Sequence, residues 1–237
     1  NGLFQRVDTA LETERRFTAD AAHELRTPLA ALQAQLQVAL RARDDNERDC
    51  SLGQLQSGLS RASHLIDQML QLARLDPESG LPNPQAVDLA ELAESVCADL
   101  GPQILGKNID FELHADQLCS VLGQAEWLRV LIRNLVDNAI RYTPENGRVR
   151  VTIRQNAGSV EIYVSDSGPG IPANQREAVL RRFHRLNQDE QPGSGLGLAI
   201  VARIAELHGA RLELAEAKPP PGLSVRVFWP TGMDAFS

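Results

Sequence analysis

Four residues that can carry chemistry crowd into the stretch FTADAAHELRTPLA, Phe17 to Ala30: His23, Glu24, Thr27 and Pro28. A neutral imidazole, with an unperturbed pKa of about 6.5, is a usable nucleophile near neutral pH. To attack through one ring nitrogen it must lose the proton on the other, and a carboxylate stands next to it. Apolar residues surround the group on a 3.6-residue period, so a plain core helix with a structural histidine is the competing interpretation. The proline weighs against that. In a helix interior it costs about 3 kcal/mol. It removes the N–H bond to residue 24 and kinks the helix just beyond the histidine.

Four segments in the second half suit a nucleotide. In RNLVDNAIRYTP, Asn134 and Asn138 lie four apart and share a helix face. Asparagine is a poor mid-helix residue, and its amide oxygen is a hard ligand for Mg²⁺ that keeps several waters. In DSGPGIP, Asp166 ends a strand and feeds Gly168 and Gly170, a turn where backbone approaches something closely. Its carboxylate suits the exocyclic amino group of adenine, where guanine presents a repelling carbonyl. In PGSGLGLAIV, Gly193, Gly195 and Gly197 lead into a helix whose free N–H groups suit phosphate oxygens. The loop is neither a Rossmann fingerprint nor a Walker loop, because no strand precedes it and no Gly-Lys-Ser/Thr follows. Between them, Ala173 to Gln191 is polar around Phe183 and reads as a lid. Taken singly, these are also capping asparagines, a turn, a loop and a surface helix.

The elements that position them follow from periodicity. Residues 3–42 repeat apolar positions at steps of three and four, which predicts one long helix. RARDDNERD, Arg41 to Asp49, is expected to break it. Leu52 to Ala73 then keeps a coiled-coil-type seam, closed by the prolines and glycine of LDPESGLPNPQ. Two such helices carry an apolar stripe too wide to cover each other, which favours a dimeric four-helix bundle over a hairpin packed on its own second domain. Beyond Pro84, helices are predicted over 88–105, 124–142, 173–185 and 196–209. Strands are predicted over 108–114, 118–122, 148–155, 159–165, 210–216 and 223–229. KPPPG, Lys218 to Gly222, reads as a loop only. The pattern predicts an α+β chain: a helical hairpin, then an α/β sandwich with helices on one face of a mixed sheet.

Composition sets limits. The 237 residues carry 24 basic and 31 acidic side chains, a net charge of −7 that disfavours nucleic acid or an anionic membrane as main partner. Cys50, Cys97 and Cys119 are too scattered for a disulfide framework or a metal site. No apolar run approaches the roughly 20 residues of a membrane span. The chain opens on Asn1 in mid-pattern and reads as a piece of a longer protein.

Together these segments resemble the N, G1, F and G2 boxes of the sensor histidine kinases of two-component systems, and AAHELRTPL resembles their H box. The detail of ERRFTADAAHELRTPLAAL and GSGLGLAIVARIAELHGA is similar to the QseC-like group, with PmrB-like sensors next. The resemblance covers nearly the whole chain. It implies a dimerisation and histidine phosphotransfer domain over 1–78, a linker over 79–85, an ATP-binding domain of the GHKL (Bergerat) type over 86–232, and a tail over 233–237. It implies ATP and Mg²⁺ as cofactors, and His23 as the phosphorylated residue with Glu24 as its base. It also implies Thr27 in a phosphatase activity on the partner, and Asn134 where related ATPases carry a water-activating glutamate.

The implied nucleotide contacts are Asn138, which also holds the metal, then Arg141, Tyr142, Asp166, Gly168, Gly170, Arg185, Gly193, Gly195, Gly197 and Leu198. The implied partners are a second copy of the chain and the receiver domain of a response regulator. The implied setting is the cytoplasmic portion of a bacterial inner-membrane protein, with any membrane contact made by parts outside this chain. One departure is Leu180, which stands where the family's F box has a second aromatic. The alternatives are a clamp ATPase like gyrase or Hsp90, which the His23 box and Asn134 oppose, and a signalling scaffold whose ATP site has decayed.

Overall fold

The computed structural model describes residues 18–75, 80–116, 119–156, 158–186 and 194–230, with the backbone of 2–17. It divides into two units, Asn1–Arg74 and Leu75–Ser237, each taken by itself.

The first unit is a hairpin of α1 (Gly2–Leu40) and α2 (Asp45–Arg74), and α1 runs unbroken through Pro28. The expected break over Arg41 to Asp49 is shorter than its polar composition suggests. Asp44 Oδ1 accepts from Glu47 N at 2.8 Å, and Glu47 Oε2 accepts from Arg43 N at 2.9 Å. This reciprocal capping turns DDNE into a helix start. Asp45 and Glu47 in the first turn also suit the positive helix pole. Gly58 lets the helices close up: a Cβ there would lie 2.9 Å from Leu32 Cδ2. Ala39, Ala62 and Leu65 are buried, yet Leu29, Leu36, Leu59 and Ile66 remain 45–60% exposed.

The second unit is built on a five-stranded sheet of order β2-β4-β5-β7-β6. The strands are β2 (Asp110–Ala115), β4 (Arg148–Asn156), β5 (Ser159–Asp166), β6 (Arg211–Glu216) and β7 (Leu223–Pro230). Only β2 and β4 run parallel, so the sheet is mixed. A separate antiparallel pair joins β1 (Gln85–Asp88), which the sequence reading missed, to β3 (Ser120–Gly123). At four residues, β1 is too short for a period to show.

Alternation along the strands fixes the two faces. Val149, Val151, Ile153, Ile162, Val164 and Val227 are buried on one side. Helices α3 (Leu89–Asp99), α5 (Ala125–Tyr142) and α6 (Gly197–Leu207) pack on that side. The expected helix over 88–105 is two: Asp88 caps α3 through Ala90 N at 2.8 Å, and Gly101–Pro102 opens a short α4 (Gly101–Gly106). The expected helix over 173–185 is instead two single 3₁₀ turns, Ala173–Gln175 and Ala178–Leu180. Arg181 then turns extended and Phe183 takes φ 61°, which no helix tolerates.

The opposite sheet face carries alternating charge. Arg148 pairs with Asp110 at 3.0 Å and Arg150 with Glu112 at 2.7 Å. Glu161, with no exposed area, is held by Arg154 and by Arg226 at 2.6 Å. Burial pushes the Glu161 carboxyl up, but the bonds from Arg154 and Arg226 outweigh it and hold the group below the usual range. Arg226 also stacks on Phe228, 4.4 Å from the ring centroid.

His208, at the end of α6, ties three elements together. Its Nδ1–H donates to Ile204 O at 2.8 Å, so Nε2 is bare and accepts from Gln124 N at 3.1 Å, just ahead of α5. The ring meets Trp127 edge-on, and a Cβ on Gly123 would lie 2.6 Å from its Cδ2. Burial lowers its pKa, partly opposed by the Ile204 bond. The folded state therefore takes up the His208 proton less readily than the unfolded chain. Its contribution to stability is intact above about pH 6.5 and drains as pH falls through 6.5 towards the lower folded value. We expect His208→Asn to lose about 1–3 kcal/mol at pH 7.5 by stranding the Gln124 N–H. Urea midpoints at pH 7.5 and 5.5 should also differ less for this variant than for the parent chain. An unchanged pH dependence would assign the acid sensitivity to other groups.

Candidate active site

The site grows from α5, an apolar helix with one polar stripe. Asn134 donates from Nδ2 to Val130 O at 2.8 Å on its own helix, which turns Oδ1 outward. Asn138 is one turn further on, and both amides face the first residue of α6. A Cβ on Gly197 would lie 2.9 Å from Asn138 Nδ2 and 3.2 Å from Asn134 Oδ1. The N-box and G2-box residues are thus one contact, and Gly197 is glycine because the amides occupy the space of a side chain. Leu196 precedes α6 without a side-chain cap, so the first-turn N–H groups of α6 have no capping side chain. Leu198 follows in that turn, half-buried.

Asp166 closes β5. Its Oδ1 accepts from Gly168 N at 2.8 Å and from Leu223 N at 3.3 Å. Among the described residues both bonds fall on Oδ1, which leaves Oδ2 to meet a donor such as an exocyclic amine. Burial raises the Asp166 pKa, and the two backbone N–H bonds act against that rise. Close packing holds the turn. A Cβ on Gly168 would meet Tyr142 O at 2.7 Å, and one on Gly222 would meet Asp166 O at 1.9 Å. Gly170, at φ 73°, faces Gly222 O at 2.9 Å from its Cβ position. The KPPPG segment is therefore a wall of the site and more than a connection.

At the end of α5, Arg141 pairs with Asp137 at 3.0 Å and Tyr142 is exposed. The F-box end is pinned to the glycine loop. Phe183 N donates to Gly195 O at 3.0 Å, and a Cβ on Gly195, at φ 67°, would lie 2.8 Å from Phe183 C. Arg185 follows, half-buried. Gly193 lies outside the described residues, as do the expected lid beyond Leu186 and the tail over 233–237.

In the first unit His23 and Thr27 are exposed on α1, and Glu24 is half-buried beside His23. Among the described residues no group of three or more His, Cys, Asp or Glu side chains is arranged to hold a metal ion. The single amide oxygen of Asn138 fits a Mg²⁺ that arrives with phosphate oxygens and keeps its waters. No described helix is long and apolar enough to cross a membrane.

Comparisons with known proteins match both units. Residues 13–78 fit the His Kinase A (phospho-acceptor) domain. Residues 123–233 fit the histidine kinase-, DNA gyrase B- and HSP90-like ATPase. Over 97% of the chain, it is 43% identical to the sensor protein kinase PmrB of Pseudomonas aeruginosa and 40% identical to the sensor protein QseC of Escherichia coli K12. The chain spans about half the length of these curated relatives, 48% and 50%. Among solved structures, a mycobacterial sensor histidine kinase, MprB, is 34% identical with a TM-score of 0.57, over 62% of this chain and 97% of that one. The histidine kinase ThkA, in complex with the response regulator protein TrrA, shares the fold at a TM-score of 0.73 over 98% of this chain and 67% of that one, with 22% identity. The chain belongs to the sensor histidine kinases of two-component systems, with a phospho-acceptor helical hairpin followed by an ATPase domain of the histidine kinase, gyrase and HSP90 type.

Proposed function

We propose that the chain phosphorylates itself on His23 with ATP and passes the phosphoryl group to an aspartate of a response regulator. The observation that carries this is Gly197 seated on Asn134 and Asn138, which joins the asparagine stripe of α5 to the uncapped start of α6. That junction offers phosphate oxygens N–H donors and an amide ligand. Asp166 Oδ2 accepts the adenine amino group, Tyr142 lies at the ring, and Arg141, Arg185, Gly170, Gly193, Gly195 and Leu198 complete the contacts. Asn138 would hold a Mg²⁺ ion, which would neutralise charge on the phosphates. Phosphotransfer residues lie in 1–78 and nucleotide residues in 86–232.

The step balances simply. A ring nitrogen of His23 bonds to the γ-phosphorus, the bond from that phosphorus to the β,γ-bridging oxygen breaks, and ADP leaves. Glu24 takes the proton from the other ring nitrogen. With an amide at Asn134, no carboxylate stands at that position to activate water, which protects ATP from wasteful hydrolysis. Thr27, exposed one turn beyond His23, orients water against the regulator's phospho-aspartate, so the chain is also a phosphatase. The bend expected at Pro28 presents His23 asymmetrically to the two nucleotide domains of a dimer.

The exposed leucines of the hairpin support that dimer. Leu29, Leu36 and Leu59 line an open groove between α1 and α2, and a second hairpin would cover it. The setting is the cytoplasmic side of a bacterial inner membrane, reached through segments beyond this chain.

The first test is incubation with γ-labelled ATP and Mg²⁺ beside a His23→Gln variant. Label that requires His23, is released by acid and survives base is the expected result. Nucleotide binding without label in either protein would favour a clamp ATPase or a decayed scaffold. Thr27→Ala should keep autophosphorylation within about twofold while slowing dephosphorylation of the regulator at least about tenfold, measured as loss of phospho-aspartate. Gly222→Ala should weaken ATP binding about tenfold or more, because its methyl lands on the Asp166 carbonyl. Unaltered affinity there would remove Asp166 from the adenine contact.

A further inference from the structure

Lys107, in the connection between α4 and β2, sits on the end of the asparagine helix. Its Nζ donates to Ile140 O at 3.0 Å, Arg141 O at 2.8 Å and Thr143 O at 3.0 Å. A lysine ammonium has three donors and no acceptor, so the set is complete. These carbonyls belong to the end of α5, where a helix runs out of backbone donors and carries its negative pole. The usual glycine termination is missing. Thr143 is extended at φ −71°, and Pro144 after it has no N–H to offer. Backbone bonds hold the lysine's own loop to the same place: Asn146 N donates to Lys107 O at 3.0 Å, and Asp110 N to Gly147 O at 2.9 Å.

Of the four carbonyls from Ile140 to Thr143, Lys107 takes three. The fourth, on Tyr142, is the one against which Gly168 packs, 2.7 Å from its Cβ position. Gly168 N in turn holds Asp166 Oδ1. We infer that Lys107 is a positioning residue of the nucleotide site, an internal cation that gathers three carbonyls of α5 and so sets Tyr142, Arg141 and the Gly168 turn in register. This rests on the nucleotide reading above. Lys107 touches no nucleotide itself. It acts through backbone that carries two implied contacts and borders a third.

The test uses the 237-residue chain with Lys107→Ala, titrated with ATP by calorimetry at a temperature below its melting transition. The dissociation constant is expected to rise about tenfold, equivalent to about 1.4 kcal/mol. The KM for ATP in autophosphorylation should rise in parallel, with the saturated rate within about threefold of the parent. Propylammonium replaces the atoms lost in Lys107→Ala, and it should restore at least about half of the lost binding energy. Sodium chloride at equal ionic strength should restore none, because the cage requires N–H donors. Lys107→Arg should not substitute, since a planar fork does not converge on three carbonyls around one point.

ATP affinity unchanged in Lys107→Ala would overturn the inference, as would a loss that propylammonium leaves untouched, which marks a role in folding alone. If Lys107→Ala does not fold, Lys107→Met keeps the apolar stem and the same affinity criterion applies. Absence of ATP binding by the parent chain would instead overturn the nucleotide reading, and this inference with it.

Discussion

The nucleotide unit depends on backbone surfaces coming closer than side chains permit. At Gly197 the start of α6 rests on two amides of α5, at Gly168 the turn rests on the Tyr142 carbonyl, and at Gly222 the start of β7 rests on Asp166. In each the nearest atom is under 3 Å from where a Cβ would be, so none survives a side chain unchanged. These contacts bring an amide pair, a helix N-terminus and one carboxylate to the same end of the sheet. The dense apolar side of the sheet makes this possible by holding α5 and α6 rigidly, since packed interiors transmit small displacements instead of absorbing them.

Polar groups in this unit are arranged to finish elements as much as to bind. His208 finishes α6 and secures the start of α5, and Lys107 finishes α5 at the other end. The helix that carries both asparagines is therefore gripped at each terminus by a side chain from elsewhere in the fold. The exposed charged face of the sheet works differently. Its ion pairs are mostly open to solvent and individually contribute little. Glu161 is the exception, since a carboxylate with no exposed area is tolerable only with two guanidinium partners.

Much of this was legible from the sequence, because period and punctuation report local physics directly. The long helices, the alternating strands and the glycine loops each left a pattern. So did the two asparagines, whose spacing put them on one face before Gly197 was known to lie against it. What stayed hidden depended on distant partners. DDNE looked like a turn because its charges are polar, and only the reciprocal capping by Asp44 and Glu47 makes it helical. The stretch 173–185, expected as a helix, is cut short where Arg181 turns extended and Phe183 takes a positive φ. β1 is too short to show a period, and it exists because β3 offers it an edge. KPPPG looked inert because nothing local says that Asp166 will press on its glycine. Lys107 gave no signal at all, since its three acceptors are backbone atoms more than thirty residues away.

The division of chemistry between the two units follows from what each lacks. At Asn134 and Asn138 the α5 stripe offers amides, and the carboxylate between them, Asp137, is paired with Arg141, so on the proposed reading the stripe can hold and polarise ATP with no acid at the Asn134 position to drive attack by water. On the same reading His23, exposed on α1, is the nucleophile and Glu24 beside it the base, and that helix has no phosphate-binding backbone of its own. On that reading neither unit completes the reaction alone. The hairpin is also incomplete as a packed object, because leucines at 29, 36 and 59 stay about half exposed or more after α1 and α2 have met. Burying a leucine fully is worth about 1.5–3 kcal/mol, so a few such residues outweigh any single surface ion pair in the molecule. The drive to cover that face and the need to bring His23 to ATP act on the same helix.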